Sequence, residues 1–285
     1  MSEAAETTPA GAGAGAGAGA VAGAATAGSA AALAAGEFAG LTAIVTGGAS
    51  GIGLATSLHL AARGARVAVL DLNADGLPEG LTGFAADVTS RESVDAAVAA
   101  VAEWAGGIDI VVNNAGVSAI GTVEANGDDD WRRVLDINVI GVARVSAAAL
   151  PYLRSSAHAA IVNTCSVSAS NGIPERALYS ASKGAVLALT YGMAVDHVRE
   201  GVRVNCVRPG TVDTPFVSNY LKKYDDPVAE RAALDARQPT GRMVTPEEVA
   251  YAIATLASPL ASATTGTALD VDGGLTTLRI RPLAT

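Results

Sequence analysis

The sequence predicts an α/β domain in which a doubly wound parallel sheet of about seven strands carries helices on both faces. Short apolar runs alternate with amphipathic segments along the chain after residue 36. Such alternation implies right-handed crossovers between parallel strands. The 249 or so residues from 37 to 285 are enough for one large domain with a well-buried core. Glycine and polar clusters follow the apolar runs, at the edge where ligands bind to such sheets.

The first 36 residues differ from the rest of the chain. Residues 10–36 are almost entirely Ala and Gly. The uncharged stretch 7–36 has the length of a membrane span, but Val21 and Leu33 are its only sizeable apolar residues, and acidic residues precede it. We therefore predict a disordered, low-complexity extension over 1–36 and one folded domain over 37–285. A processed targeting peptide is the alternative.

Charge and cysteine content narrow the classes of function. The net charge is −9 and no basic run is present, which argues against nucleic-acid binding and against an anionic membrane surface. Cys165 and Cys206 are the only cysteines, too few for a disulfide framework, and this fits the reducing cytoplasm. The three histidines show no ligand spacing, so we expect no metal site.

The first strand and helix predict a phosphate-binding loop. A strand over 41–46 is followed by GGASGIG at 47–53 and by an amphipathic helix, LATSLHLAARG, that ends at Gly64. Glycines let backbone N–H groups approach an anion, and the helix N-terminus adds partial positive charge. The spacing is a variant of the general dinucleotide fingerprint.

The second predicted strand, 66–71, ends in an acid. Asp71 lies 18 residues after Gly53, close to the spacing of about 20 at which a carboxylate binds the adenosine ribose. The same carboxylate would repel a 2′-phosphate, and neither Leu72 nor Asn73 offers a cation. The pattern favours NAD over NADP. An aspartate that merely begins a loop is the alternative.

The remaining elements continue the alternation, and polar residues follow the strands. We predict strands over 83–88, 108–113, 159–164, 201–207 and 266–271, and helices over 91–105, 128–149, 178–199 and 245–257. Asn114–Gly116, Ser166 and Pro209–Thr214 come directly after the fourth, fifth and sixth strands. Because the carboxyl ends of parallel strands share one edge, these residues should lie together.

A tyrosine and a lysine four residues apart predict proton-transfer chemistry. Tyr179 and Lys183 fall on one face of the predicted helix 178–199. An ammonium beside a phenol lowers a pKa that is normally about 10, so such a tyrosine can exchange a proton at neutral pH. An exposed lysine beside a half-buried tyrosine is the alternative for this pair taken alone.

Together these motifs resemble the short-chain dehydrogenase/reductase superfamily over residues 38–278. The matching segments are TGGASGIG at 46–53, NNAG at 113–116, LDINV with Asn138, Ser166, YSASK at 179–183 and RPGTVDTP at 208–215. The resemblance implies a single Rossmann-type domain that binds NAD and oxidises a secondary alcohol by hydride transfer. It also implies a homo-oligomer, either a tetramer or a dimer.

The resemblance implies a role for each matching residue. Tyr179 would be the general acid/base, Lys183 would lower its pKa and bind the nicotinamide ribose, and Ser166 would hydrogen-bond the reacting oxygen. Asn138 would keep a water that relays protons. Cofactor contacts are implied for Gly47, Ser50, Gly51, Ile52, Gly53, Asp71, Asp87, Val88, Asn114, Ala115, Gly116, Tyr179, Lys183, Pro209, Gly210, Val212 and Thr214.

Two arginines indicate the class of small-molecule substrate. The stretches PGTVDTP and ARQPTGRMVTPEEVA resemble the branch with cytosolic 3-hydroxybutyrate and 2-keto-3-deoxy-L-fuconate dehydrogenases. In that branch arginines hold a substrate carboxylate, and Arg176 and Arg237 match them; a guanidinium fork suits a carboxylate. Ordinary surface arginines are the alternative. The predicted substrate is a hydroxy acid or sugar acid; the alternatives are a neutral steroid, acyl chain or polyol, or a non-catalytic NAD(H)-binding sensor.

Overall fold

The chain folds around a seven-stranded parallel sheet. The structure is a computed structural model, which describes residues 36–222 and 224–281. The strand order is β3-β2-β1-β4-β5-β6-β7, and each neighbouring pair is parallel. The strands are β1 Thr42–Thr46, β2 Arg66–Asp71, β3 Leu81–Ala85, β4 Ile110–Asn113, β5 Ala160–Thr164, β6 Arg203–Pro209 and β7 Ala268–Val271. The strand order reverses between β1 and β4, which places the ligand-binding crevice there.

Helices cover both faces of the sheet, as the sequence predicts. In the described part of the chain they are α1 Gly51–Ala62, α2 Arg91–Ala105, α3 Asp128–Leu135, α4 Gly141–Leu153, α5 Ala177–His197, α6 Pro215–Leu221, α7 Pro227–Ala236 and α8 Pro246–Ala257. Helices α2, α4 and α5 pack on one face, and α1 and α8 pack on the other. The predicted doubly wound α/β architecture is confirmed.

Alternating strand side chains divide the core between the two faces. Ile44 of β1 belongs to the cluster with α2, α4 and α5, whereas Ala43 and Val45 belong to the cluster with α1 and α8. All residues of β1 and of β5 are buried, as a parallel sheet covered on both sides requires. Apolar side chains on both faces explain why these strands read as continuous apolar runs.

Two predicted elements differ from the structure. Strand β3 ends at Ala85, so the prediction of a strand over 83–88 is wrong at its end. The Asp87 carboxylate accepts hydrogen bonds from the Thr89 N–H and hydroxyl, and this local turn replaces the strand. The helix predicted over 128–149 extends to Leu153 and is interrupted by a π-helical segment, Asp136–Ile140. The π turn carries Asn138 towards a neighbouring loop.

Other differences are small or concern segments without a prediction. Helix α1 begins at Gly51, inside the glycine loop, and β6 continues to Pro209. The long segment after β6 contains α6 and α7, which no sequence pattern predicted. The predicted Ala/Gly-rich extension lies outside the described residues except for Gly36.

One helical stretch has the length and composition of a membrane span. Among the described residues, 128–153 passes this test, and 44% of its apolar window is buried. Core helices pass the same test. Val142, Val145 and Ala149 of this stretch pack in the core cluster of α2 and α5, which accounts for its apolar character.

The start of α8 combines a capping box with an ion pair. The Thr245 hydroxyl accepts from the Glu248 N–H, and the Glu248 carboxylate accepts from the Thr245 N–H at 2.9 Å. Arg242 donates to both carboxylate oxygens, at 2.6 and 2.9 Å. The Arg242 hydrogen bonds, followed by the Thr245 N–H, lower the pKa of Glu248 to about 2 from its ordinary 4.5.

We expect Glu248→Gln to cost more stability at pH 7 than at pH 3. A folded-state pKa below the unfolded one stabilises the fold above pH 4.5, and this gain is lost as the pH falls towards 2. Because the Glu248 side chain is partly exposed, we expect the substitution to lower the free energy of unfolding by at most about 1 kcal/mol at pH 7. Urea unfolding at pH 7 and pH 3 measures this, with Glu247→Gln in the same helical turn as the control. A Glu248→Gln deficit that is equal at both pH values would contradict the ionic contribution.

Candidate active site

A cavity of about 720 Å³ runs along the carboxyl edge of the sheet. It extends from Asp71 after β2 to Arg237 after α7. Of the residues with a predicted role, only Gly53 and Asn138 do not line it. Those that line it are Gly47, Ser50, Gly51, Ile52, Asp71, Asp87, Val88, Asn114, Ala115, Gly116, Ser166, Arg176, Tyr179, Lys183, Pro209, Gly210, Val212, Thr214 and Arg237.

The glycine loop between β1 and α1 forms one wall of the cavity. Gly47 and Gly51 have φ values of 62° and 51°, a region that favours glycine. A Cβ at Gly47 would lie 3.0 Å from the Ala115 Cα. Gly53 does not line the cavity, and a Cβ there would lie 2.0 Å from the Gly47 carbonyl oxygen. Glycine at this position therefore allows α1 to pack closely against the loop, and its predicted cofactor contact stays a prediction.

The start of α1 and the end of β2 suit a dinucleotide. Helix α1 has no acidic residue in its first turn, and the Ser50 side chain does not cap it. Its first N–H groups and its dipole are therefore suited to an anion. At the end of β2, the Asp71 carboxylate accepts from the Ala49 N–H at 3.1 Å, which ties the loop to β2. Leu72, beside it, is 76% exposed.

Asp87 and Val88 lie in the turn after β3. The Thr89 hydroxyl donates to the Asp87 carboxylate at 2.7 Å and the Thr89 N–H donates to the same oxygen at 2.8 Å. These two hydrogen bonds lower the pKa of Asp87, because they favour the ionised form. The turn holds both residues at the cavity wall, although the strand itself ends earlier.

Thr46, at the end of β1, positions the loop after β4. Its hydroxyl oxygen accepts from the N–H groups of Asn114 and Ala115, both at 3.0 Å. The Asn114 amide in turn donates to the carbonyls of Thr46 and Gly47, at 3.2 and 3.3 Å. Thr46 has no predicted role, although it begins the glycine motif.

Lys183 is joined to the same network through β5. Its ammonium donates to the Thr164 carbonyl at 2.7 Å, and its side chain is buried. The Thr164 hydroxyl donates to the Asn114 amide oxygen at 3.4 Å. The lysine, the end of β5 and the loop after β4 therefore form one connected unit.

Tyr179 and Ser166 lie next to this unit along the chain: Tyr179 is on the same helix as Lys183, and Ser166 is two residues after Thr164. The Lys183 Nζ lies 5.8 Å from the centroid of the Tyr179 ring, one turn away on α5. The Ser166 hydroxyl oxygen accepts from the Ser168 N–H at 3.1 Å. Because its oxygen is held in this way, the Ser166 hydroxyl can donate its proton to a ligand. Both residues line the cavity.

Asn138 lies behind the cavity wall. Its amide exchanges two hydrogen bonds of 2.8 Å with the Val117 backbone and donates to the Ser182 hydroxyl at 3.0 Å. Ser182 donates to the Tyr179 carbonyl at 2.7 Å. The side chain therefore connects the loop after β4 to the start of α5, and both of its N–H donors are used.

Cys165 lies between Thr164 and Ser166 and contacts Cys206 on β6. Its thiol donates to the Lys183 carbonyl at 3.2 Å. A hydrogen bond with Cys206 and the charge of Lys183 outweigh burial and lower the pKa of Cys165 to about 7. The same pairing and burial raise the pKa of Cys206. Within the described residues, no group of three His, Cys, Asp or Glu side chains is placed to hold a metal.

Two arginines and a serine, Arg176, Arg237 and Ser118, also line the cavity. Arg176 directly precedes α5, and Arg237 directly follows α7. Several apolar residues of the lining were not predicted: Val117, Ile120, Ile173, Val217, Leu234 and Leu275. In the sequence, only their proximity to the predicted motifs indicates that these residues belong to the site.

The fold and the site define a nicotinamide-dependent oxidoreductase. Residues 47–276 match the family model described as enoyl-(acyl carrier protein) reductase. The cis-4-hydroxycyclohexanecarboxylate dehydrogenase of Sinomonas cyclohexanicum is 42% identical over 249 residues, which cover 84% of this chain and 98% of that protein. The 4-formylbenzenesulfonate dehydrogenase of Comamonas testosteroni is 39% identical over 247 residues, which cover 81% and 96%.

A solved structure agrees with these relatives. The aldohexose dehydrogenase of Thermoplasma acidophilum superposes with a TM-score of 0.80 at 35% identity, covering 86% of this chain and 96% of that chain. The chain belongs to the short-chain dehydrogenase/reductase family, and it is an enzyme that acts on CH–OH groups. Family membership argues against the non-catalytic sensor.

We expect Thr46→Val to destabilise the protein by about 1–3 kcal/mol, because two N–H groups of the loop after β4 lose their shared acceptor. Thr46→Ser keeps the hydroxyl and should retain most of the stability. Urea unfolding of the two variants measures the difference. A loss in Thr46→Ser with little loss in Thr46→Val would show that the methyl group, and not the hydroxyl, is responsible.

Proposed function

We propose that this enzyme interconverts a secondary alcohol and a ketone with NAD, and that Tyr179 is the general acid/base. The observation that carries this proposal is the placement of Tyr179, Lys183 and Ser166 in one cavity with the glycine loop. The buried Lys183 ammonium lies 5.8 Å from the centroid of the tyrosine ring, which supports a shared role of the two side chains.

The residues present fit a dinucleotide. Gly47, Ser50, Gly51 and Ile52 would hold its phosphates, and Asp71 would bind the adenosine ribose. Asp87 and Val88 would contact the adenine. The nicotinamide end would be held by Asn114–Gly116, Tyr179, Lys183, Pro209, Gly210, Val212 and Thr214. The Asp71 carboxylate and the exposed Leu72 beside it favour NAD over NADP.

The protein's own groups perform the proton transfer. When bound, the cofactor supplies hydride-transfer chemistry at the substrate carbon. In the oxidation, the Tyr179 phenolate takes the proton of the substrate hydroxyl, while the Ser166 hydroxyl donates to the same oxygen. In the reduction, Tyr179 returns the proton to the carbonyl oxygen. Asn138 holds the wall behind this pair, and we propose that it also keeps the water that relays protons to solvent.

We expect Tyr179→Phe to lower kcat by about 10² to 10⁴-fold, because it removes the proton carrier. NADH binding should change little, since the ring and Lys183 remain. A panel of secondary alcohols assayed with NAD+ and with NADP+ measures turnover and cofactor preference, and NADH fluorescence measures binding. Undiminished turnover by this variant would overturn the assigned mechanism; equal rates with both cofactors would overturn the proposed preference.

The substrate is proposed to carry a carboxylate or a similar anion. Arg176 and Arg237 approach the substrate end of the cavity from two elements, in a chain whose net charge is −9. Two relatives are named for a carboxylate and a sulfonate. The proposed class is a hydroxy acid or sugar acid, as in the branch that the sequence resembles. The neutral alternative is supported by the apolar lining and by the structural neighbour named for an aldohexose.

We expect Arg176→Ala to raise KM at least tenfold for an acidic substrate, because a hydrogen bond to a charged group is lost. KM for a neutral alcohol should stay within about threefold. Arg199→Ala, an exposed arginine outside the cavity, is the matched control. Equal effects of Arg176→Ala on both substrates would remove the carboxylate assignment and favour the neutral one.

The cellular setting is also a proposal. We propose a cytoplasmic homo-oligomer, a tetramer or a dimer, that acts on a small molecule and binds neither nucleic acid nor membranes. Members of the family are usually oligomers that bind small molecules. Residues 1–36 are proposed to be an extension separate from the catalytic domain over 37–285.

A further inference from the structure

The turn before α5 contains an unusual backbone conformation. Glu175 has φ +56°, and it is the only non-glycine residue of the described chain with positive φ. Such a conformation is disfavoured for a residue with a long side chain, and it persists only where the surroundings enforce it. Pro174 precedes it, and proline followed by a residue with positive φ is the pattern of a type II turn.

The Glu175 carbonyl is a shared acceptor at the cavity wall. It accepts from the Gly121 N–H at 2.9 Å and from the Arg176 guanidinium at 3.0 Å. Gly121 and Arg176 also form an isolated parallel bridge. The turn therefore joins the segment after β4 to the segment that precedes Tyr179, and the same oxygen orients the arginine.

The partner segment is equally restricted. Gly121 has φ +138°, and a Cβ there would lie 2.9 Å from the Ala125 Cβ. Ile120 and Arg176, on the two sides of the bridge, both line the cavity. The Glu175 side chain itself is exposed. At position 175 this wall therefore requires a backbone conformation and not a carboxylate.

We infer that Glu175 is a positioning residue, whose left-handed conformation aims its carbonyl so that Arg176 faces the substrate. The inference rests on the proposed role of Arg176 as the anion ligand. It locates selectivity for an anionic substrate in a two-segment wall, Gly121 with Glu175–Arg176, which is separate from the proton-transfer residues.

Four variants test the inference together with Arg176→Ala. Glu175→Val is expected to shift the carbonyl, because a β-branched residue strongly disfavours positive φ. Gly121→Ala disturbs the same bridge from the other side. Glu175→Asn keeps a residue that tolerates positive φ, and Glu175→Gln removes only the charge. The probe is cyclohexanecarboxylate, titrated by calorimetry into the enzyme saturated with NADH; NADH affinity and the rate with a neutral secondary alcohol are measured in parallel.

We expect Glu175→Val, Gly121→Ala and Arg176→Ala each to raise the Kd of the carboxylate at least tenfold. Glu175→Asn and Glu175→Gln should stay within threefold of the wild type. NADH affinity should stay within threefold in every variant, and the neutral-alcohol rate should stay within threefold in Glu175→Asn and Glu175→Gln; general damage to the fold would not spare NADH binding. If Glu175→Val does not fold, the Kd of the carboxylate for Gly121→Ala alone tests the inference.

Different results overturn different claims. Loss of carboxylate binding in Glu175→Gln would assign the effect to the side-chain charge and overturn the inference. Weaker binding by Arg176→Ala but unchanged binding by both Glu175→Val and Gly121→Ala would overturn the positioning role while leaving the substrate class in place. Equal binding, or no binding, by the wild type and Arg176→Ala would overturn the carboxylate proposal, and the inference with it.

Discussion

The buried ammonium of Lys183 ties together the elements at the edge of the sheet that lines the cavity. A charge that is 5% exposed is costly unless a strong acceptor meets it, and the Thr164 carbonyl does so at 2.7 Å. Thr164 continues through its hydroxyl to Asn114, which bonds the carbonyls of the glycine loop. The ends of β1, β4 and β5 are thus coupled to α5. The loop that would hold phosphate and the pair that would move a proton cannot shift independently.

The π-helical segment adds a second connection between the same parts. An extra residue in the turn Asp136–Ile140 brings Asn138 to the Val117 backbone and to Ser182. A regular helix would rotate the following residues differently against the sheet. π turns of this kind are frequently found at functional sites. Here the turn keeps the loop after β4 against the helix that carries Tyr179.

The sequence predicts the architecture well because both faces of the sheet are apolar. All seven strands appear as apolar runs, and the motifs mark the edge where the cavity lies. The boundaries of strands are predicted less well because local turns decide them. The hydrogen bonds of Asp87, for example, form a turn where the strand was predicted to continue. The π segment is hidden because DINVI continues the apolar pattern of a helix.

The residues that the sequence did not predict are of two kinds: side chains with partners elsewhere in the fold, and a residue with an unusual backbone conformation. Thr46 acts through partners 68 and 69 residues away, a distance over which no periodic pattern carries information. Gln238, whose side chain is 1% exposed, accepts from the Thr211 N–H at 2.7 Å and donates to the Leu234 carbonyl at 2.9 Å. Glu175 belongs to the second kind: glycine or asparagine is the usual signal for positive φ, and a glutamate gives none.

The residues proposed for selectivity and those proposed for catalysis have different structural supports. Tyr179 packs against a cluster of Ala119, Val134 and Leu178, whereas α6 and α7 are held over the cavity by a separate cluster of Val217, Leu221, Leu234 and Met243. Gln238 is the residue after Arg237. Its hydrogen bond with Thr211 joins this cover to the loop after β6. Substitutions in the cover can change the part of the cavity that Val217 and Leu234 line without disturbing the Lys183 network. Because the sheet and the cover are packed separately, the cover can vary while the edge of the sheet keeps its geometry.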